Sequence, residues 1–251
     1  MKRVISTIAI LALLSISAMG ARISAYLITP STSISNVKYK LKENGFSILG
    51  INNNVITITN KELQRTNTYL ATLQVYVGAA EIRIQNPVYF AMAYLDDYKK
   101  GQLTVTVSSL TQAFGSLKKS SEHLDASALY HYRFMPGMPY FDEPISVSKL
   151  ENIYTKVVGN RNILYTLPLP NGSLLVGHKL STGTNGFLKR LNQTKNSQIL
   201  PYEALVFTNE VKMMHPKFYL ALSLPQLRKN QFMKISDIPD KIERDIKNAY
   251  R

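Results

Sequence analysis

The stretch Leu73–Leu95, LQVYVGAAEIRIQNPVYFAMAYL, decides the fold because a similar stretch occurs again later in the chain. Two runs with alternating apolar residues flank a Gly-Ala-Ala turn, and Asn86-Pro87 precedes an aromatic-rich apolar run. The stretch Leu200–Leu224, LPYEALVFTNEVKMMHPKFYLALSL, has the same order, with a Thr-Asn-Glu turn and His215-Pro216. Alternating apolar residues are typical of strands with one buried face. The pattern therefore predicts an internal duplication centred on a hairpin that a proline follows.

The proline after the first hairpin constrains where the chain goes next. Proline has no backbone N–H and cannot donate to a strand ladder. We therefore expect Pro87 at the start of a strand or at the edge of a sheet.

Both halves predict the same order of elements: helix, two strands, helix, strand hairpin, helix. In the first half, Ser35 caps a helix that Gly45 ends, and in the second half Ser148 caps a helix that stops at Gly159. The turns between strands are short, which favours antiparallel pairing over parallel crossovers. The predicted fold class is α+β, with two tandem similar units, each a mostly antiparallel sheet packed with helices. Asp142-Glu143-Pro144 resembles a linker, so the predicted units are residues 22–144 and 145–251.

The N-terminus has the composition of an export signal. Lys2 and Arg3 precede an apolar run from Val4 to Ser17, and the small residues of Ala18-Met19-Gly20 follow. This run is shorter than the roughly 20 residues that a spanning helix needs. We predict a signal peptide over residues 1–20, cleaved after Gly20 or Ala21, and no transmembrane segment after cleavage. The protein would be exported, and periplasmic in a Gram-negative cell.

Composition limits the classes of function. The chain of 251 residues contains no cysteine, so disulfides, thiolate metal sites and a lipid-modified cysteine are excluded. Its 30 Lys and Arg against 16 Asp and Glu give a formal net charge of +14. The basic residues occur in dispersed pairs rather than in a run or a nucleic-acid motif. We therefore expect a solvated basic surface and no specific binding of nucleic acid.

Short motifs in both halves resemble a known family. They are Asn44-Gly45-Phe46, Asn86-Pro87, and Leu200-Pro201 with the hairpin that follows it. On these motifs the chain is similar to the family catalogued as domain of unknown function 302, a small α+β module. His215 stands where the first copy has Asn86, and Gln85 stands where a glycine is usual. The family has no settled activity, so the resemblance implies a fold and a location but no catalytic residue.

The segment Tyr130–Phe141 is the strongest candidate for a binding site, because it combines one histidine and two methionines with five aromatic residues. The predicted binding residues are Tyr130, His131, Tyr132, Met135, Met138, Tyr140, Asn86, Pro87, His215 and Pro216. Thioether and imidazole groups also suit Cu(I) in exported proteins. The alternative is therefore a copper site of His131, Met135, Met138, Met214 and His215. A third interpretation is that the methionines and aromatics only fill a core or an interface.

Other candidate chemistry is weaker. The loop Ser181–Gly186 could hold an anion or could be a plain connector. The hydrolase motifs G-x-S-x-G and H-E-x-x-H do not occur. The sequence therefore favours an exported, non-enzymatic binding or accessory protein without a cofactor, which binds a small molecule or a protein at the junction of its units. A periplasmic copper-handling protein is the alternative, and an enzyme of unknown type is third.

Overall fold

The computed structural model describes residues 21–251, which form helices and antiparallel sheets. The α+β fold class predicted from the sequence is confirmed. The predicted signal peptide lies outside the described residues. None of the helices in the described part has the length and apolar character needed to cross a membrane.

The first half contributes a six-stranded sheet in the order β3-β4-β5-β6-β2-β7. Its strands are β2 (Tyr26–Pro30), β3 (Ser47–Asn52), β4 (Val55–Thr59), β5 (Leu73–Val77), β6 (Glu81–Gln85) and β7 (Lys118–Lys119). A separate pair joins β1 (Arg22–Ser24) to β8 (His123–Asp125). The second half contributes a five-stranded sheet in the order β10-β11-β12-β13-β9. Its strands are β9 (Ile145–Lys149), β10 (Ile163–Pro168), β11 (Leu174–His178), β12 (Tyr202–Val206) and β13 (Glu210–Met213).

Helices cover these sheets. They are α1 (Ile34–Glu43), α2 (Lys61–Gln64), α3 (Pro87–Tyr94), α4 (Thr104–Phe114), α5 (Ala126–Leu129), α6 (Thr182–Asn185), α7 (Phe187–Arg190), α8 (Pro216–Ser223), α9 (Lys229–Met233) and α10 (Ile238–Ala249). Short 3₁₀ segments occur at Tyr69–Ala71, Ile153–Lys156 and Thr194–Ile199, and the last is kinked at Asn196. The predicted inward face of α10 is observed, because Ile238, Ile242 and Ile246 recur every four residues and are fully buried.

The two sheets match strand by strand. The order of β2 to β6 in the first sheet is the order of β9 to β13 in the second. The first hairpin of each sheet carries a bulge, between Ile48 and Gly50 and between Ile163 and Tyr165. The later hairpins share their register, with Tyr76 opposite Arg83 and Leu205 opposite Lys212. A duplication would leave this correspondence, although the duplication itself stays a prediction.

The prolines after the repeated hairpins begin helices, so the prediction of a strand start or sheet edge for Pro87 is wrong. Pro87 is the first residue of α3, and Pro216 is the first residue of α8. Proline is favoured there because the first turn of a helix leaves its N–H groups unpaired. Asn86 Oδ1 accepts a hydrogen bond from the N–H of Val88 at 3.1 Å, and His215 Nδ1 accepts one from Lys217 at 3.2 Å.

The helix predicted after Ser148 is also wrong, because residues Ile145–Lys149 form strand β9 and only a 3₁₀ turn follows. Val147 is buried between the more exposed Ser146 and Ser148, which is the two-residue period of a strand. In the first half, Ser33 rather than Ser35 caps α1.

The two halves pack into one continuous hydrophobic core. The 3₁₀ turn at Tyr69–Ala71 contacts β12 of the second half, and the turn at Thr194–Ile199 contacts β5 and β6 of the first half. These contacts are reciprocal, as in a pair of subunits related by a twofold axis. Hydroxyl groups also cross between the halves, since Tyr26 Oη donates to the carbonyl of Ser223 at 2.5 Å and Tyr89 Oη to that of Leu222 at 2.7 Å.

Candidate functional site

The segment 130–141 is held against both halves by aromatic contacts. The ring of Phe141 stacks on Tyr94 of α3 at 5.0 Å between centroids, with 16° between the planes. The edge of Tyr132 meets Phe218 of α8 at 5.9 Å, and Phe134 stacks on Phe232 of α9 at 5.4 Å. Burial of these rings fixes the segment in place although it has no regular structure.

A cavity of about 320 Å³ lies between this segment and the C-terminal end of α3. It is lined by Met92, Ala93, Leu95, Asp96, Tyr130, His131, Tyr132, Tyr140, Phe141 and Asp142. The structure thus brings four predicted binding residues together: Tyr130, His131, Tyr132 and Tyr140. We call this space the tyrosine cavity.

The charged groups of the tyrosine cavity are acidic. Asp96 and Asp142 are exposed carboxylates, and no lysine or arginine is among the residues that line the cavity. The guanidinium of Arg133 lies outside the lining, 4.5 Å from the ring centre of Tyr140. Burial raises the pKa of Tyr132, so its phenol stays protonated at neutral pH. The cavity therefore offers carboxylates, phenol hydroxyls and aromatic faces to a ligand.

The backbone of His131 adopts a left-handed conformation, which is uncommon for residues other than glycine although histidine tolerates it better than most. Its φ angle is 55°, in the left-handed region that favours glycine. Such strain costs about 1–3 kcal/mol and clusters at functional sites. The exposed imidazole of His131 lines the tyrosine cavity in this conformation.

The other predicted binding residues lie outside the tyrosine cavity. Asn86 and His215 cap α3 and α8, and Pro87 and Pro216 occupy the first positions of those helices. The side chain of Asn86 also donates to the carbonyl of Ser24 at 2.7 Å. Met135 and Met138 are partly buried in one turn, where the N–H of Met138 donates to Met135 at 3.1 Å. The structure gives structural roles to these caps, whereas ligand binding by any of these residues stays a prediction.

For the copper alternative, the described residues show no preformed site of histidine and carboxylate ligands. Residues 21–251 contain no group of three or more His, Asp or Glu side chains placed to hold a metal ion. Met214 is buried next to His215, and the methionines of the 130–141 segment do not line the tyrosine cavity. Copper binding through these methionines therefore stays a prediction.

A larger groove lies where the two halves meet, which is where the sequence led us to expect a ligand. It has a volume of about 620 Å³ and is lined by Asn52, Asn53, Asn54, Val55, Tyr76, Lys179, Leu180, Thr182, Asn185, Gly186, Leu188, Lys189, Thr194, Ser197 and Leu200. We call it the junction groove. The loop Ser181–Gly186, considered from sequence as an anion site, forms part of its wall. Lys179 and Lys189 were missed because nothing in the sequence separates them from the other basic residues.

A buried polar network also joins the halves. Thr72 Oγ1 donates to Glu203 Oε1, and Tyr165 Oη donates to the same oxygen at 2.6 Å. Gln74 Nε2 donates to Tyr165 Oη at 3.4 Å. Burial raises the pKa of Glu203 to about 7, and the hydrogen bonds from Thr72 and Tyr165 only partly oppose this shift. Glu203 is thus a carboxyl group that changes charge near neutral pH at the contact between the halves.

Comparison of the chain with models of protein families, with curated proteins and with solved structures finds no match. The resemblance to the family catalogued as domain of unknown function 302 therefore stays a prediction.

Proposed function

We propose that the chain is an exported, non-enzymatic binding or accessory protein that holds a small organic cation in the tyrosine cavity. The observation that carries the proposal is the convergence of Tyr130, His131, Tyr132 and Tyr140 on one cavity whose fixed charges are two carboxylates. Binding is proposed rather than catalysis because the sequence carries no catalytic motif.

The lining of the cavity favours a cation. Asp96 and Asp142 attract positive charge, and a tyrosine face attracts an ammonium group by about 0.5–2 kcal/mol. The Arg133 guanidinium already lies over Tyr140, so this attraction comes from the other tyrosine rings of the cavity. The net positive charge of the whole chain opposes this attraction only weakly, because salt screens charges beyond about 8 Å at physiological ionic strength.

The size of the cavity favours an organic ligand over a metal ion. A volume of about 320 Å³ is at the small end of the range of roughly 300–1,000 Å³ that is usual for ligand pockets. His131 and the two aspartates are not placed as a metal-binding group. An ammonium ligand of a few carbon atoms fits both observations.

Export and duplication are parts of the same proposal. The basic, apolar and small-residue order of residues 1–20 supports export, to the periplasm in a Gram-negative cell. The matching strand order, bulges and registers of the two sheets support descent of both halves from one ancestral unit. The duplicated hairpins then serve the scaffold, and the unmatched segment 130–141 serves binding.

Calorimetric titration with small ammonium compounds tests the proposal. The probes are choline, putrescine and spermidine, added separately to the full chain without its first 20 residues. We expect at least one probe to bind with 1:1 stoichiometry. The double variant Asp96→Asn/Asp142→Asn should weaken that binding at least tenfold, which corresponds to about 1.4 kcal/mol.

Asp97→Asn is the matched control, because Asp97 is exposed and adjacent to Asp96 but does not line the cavity. It should leave binding unchanged. The proposal fails if none of the three probes binds, or if the double variant binds the cation as tightly as the parent chain does.

A further inference from the structure

The junction groove is built by segments from both halves. The turn Asn52–Asn54 and Tyr76 come from the first half, and the wall that contains Lys179 and Lys189 comes from the second half. Its volume of about 620 Å³ exceeds that of the tyrosine cavity and suits a small organic ligand.

The wall from the second half belongs to a connection that is longer than its counterpart in the first half. Leu73 pairs with Ile58 and comes 15 positions after it, whereas Tyr202 pairs with His178 and comes 24 positions after it. The second half therefore has nine additional residues between equivalent strand positions. Helices α6 and α7 lie in this longer connection and supply Asn185 and Lys189 to the groove. Binding residues are commonly carried on such loops over a fixed scaffold.

On the other side of the junction, the place that corresponds to the junction groove is closed by a contact between two turns. There, the turn of the β10–β11 hairpin meets the short connection after β4, and the N–H of Asn171 donates to Asn67 Oδ1 at 3.0 Å. The turn Asn52–Asn54 has the corresponding place in the first half but borders an open groove. The junction groove thus lies beside the longer connection, whereas the two turns meet beside the shorter one.

The charge of the groove is positive. Lys179 and Lys189 are both exposed, and no aspartate or glutamate is among the lining residues. Neither lysine forms a salt bridge with a residue in the described range 21–251. Asp245, in an adjoining cavity, accepts a hydrogen bond from the N–H of Ser181 at 2.9 Å. The amide and hydroxyl groups of Asn53, Asn185 and Thr182 complete a polar lining.

From these observations we infer that the junction groove binds a small anion that carries two or more negative charges, such as a phosphorylated or polycarboxylated compound. Two lysines attract the charges, and amide and hydroxyl groups hydrogen-bond to the anionic oxygens. The site is separate from the tyrosine cavity, since the two share no lining residue. It does not depend on the proposed cation binding.

Titration of the chain with inorganic pyrophosphate and with citrate, in 150 mM sodium chloride, tests the inference and distinguishes phosphate from carboxylate ligands. We expect 1:1 binding of at least one probe. Lys179→Gln/Lys189→Gln should weaken it at least tenfold, and Lys179→Arg/Lys189→Arg should retain it within about threefold because the charges remain. Both lysines are exposed, so the melting temperature of each variant should match that of the parent chain.

Lys99→Gln/Lys100→Gln is the control, since it removes the same charge from an exposed pair that does not line the groove. It should leave binding unchanged. Equal weakening by the control and the groove variant would show diffuse attraction to a basic surface and would overturn the inference. Absence of binding by both probes would overturn it as well.

Discussion

Tyr165 connects the two halves through close packing and hydrogen bonds. Tyr165 packs directly over Gly177, where even a Cβ atom would clash with the ring, and a Cβ atom at Gly50 would lie 3.3 Å from the same ring. The phenol then reaches Glu203 and Gln74, which are both the second residue of their strands, β12 and β5. Equivalent positions of the two sheets therefore hold a carboxyl and an amide that are linked by one hydroxyl group.

The carboxyl group of Glu203 makes stability depend on pH. Its folded-state pKa of about 7 lies above the ordinary value of 4.5, so the folded protein binds a proton that the unfolded chain releases. This stabilisation is complete below pH 4.5 and is lost as the pH rises through 7. Glu203→Gln keeps an oxygen that accepts from Thr72 and Tyr165 but has no charge.

We expect Glu203→Gln to have little effect at pH 4 and to stabilise the chain by about 1–3 kcal/mol at pH 8 relative to the parent. Chemical denaturation at both pH values measures the difference. A variant that is less stable than the parent at pH 8 would show that the ionised carboxylate, rather than the protonated group, stabilises the fold.

At the scale of elements, α3 and α8 begin with equivalent caps of different chemistry. Asn86 caps with an amide oxygen, whereas His215 caps with Nδ1, which accepts only when it carries no proton. Burial, and next the charge of Lys217, lower the pKa of His215. The cap contributes stability above the ordinary histidine pKa of about 6.5 and loses it as the pH falls below that value.

We expect His215→Ala to destabilise the chain at pH 7.5 by about 1 kcal/mol, as is usual for a lost N-cap, and His215→Asn to be nearly neutral. At pH 5, His215→Asn should be more stable than the parent. Thermal unfolding at the two pH values measures these effects. Equal losses for Ala and Asn would mean that packing of the imidazole, and not its hydrogen bond, stabilises α8.

The elements also show how much of the fold the sequence predicted. Alternation of apolar residues predicted both repeated hairpins, because burial of one face of a strand imposes that period. The helix predicted from the cap at Ser148 was wrong, because a short strand there pairs with β13, a partner more than sixty positions away. The prediction for Pro87, made from the missing N–H of proline, was wrong because proline is compatible with both a strand edge and a helix start. Local sequence does not distinguish such cases, since distant pairing decides them.

At the scale of the whole molecule, the candidate sites lie where segments distant in sequence meet. The aromatic content of residues 130–141 predicted four residues of the tyrosine cavity, but Asp96 joins them only through the end of α3. Lys179 and Lys189 were not predicted because their significance depends on the open junction and on the absence of lining carboxylates. The sequence indicated a site at the junction and the loop Ser181–Gly186, but only the packing of the two halves shows that Lys179 and Lys189 line the groove there.

The central claim, that the tyrosine cavity holds a small organic cation, is tested most directly by native mass spectrometry of the chain purified from its own cells. We predict one such cation per chain in the parent protein and lower occupancy in Asp96→Asn/Asp142→Asn, while Lys179→Gln/Lys189→Gln retains it. A parent chain without bound cation, or equal occupancy in the aspartate variant, would contradict this claim.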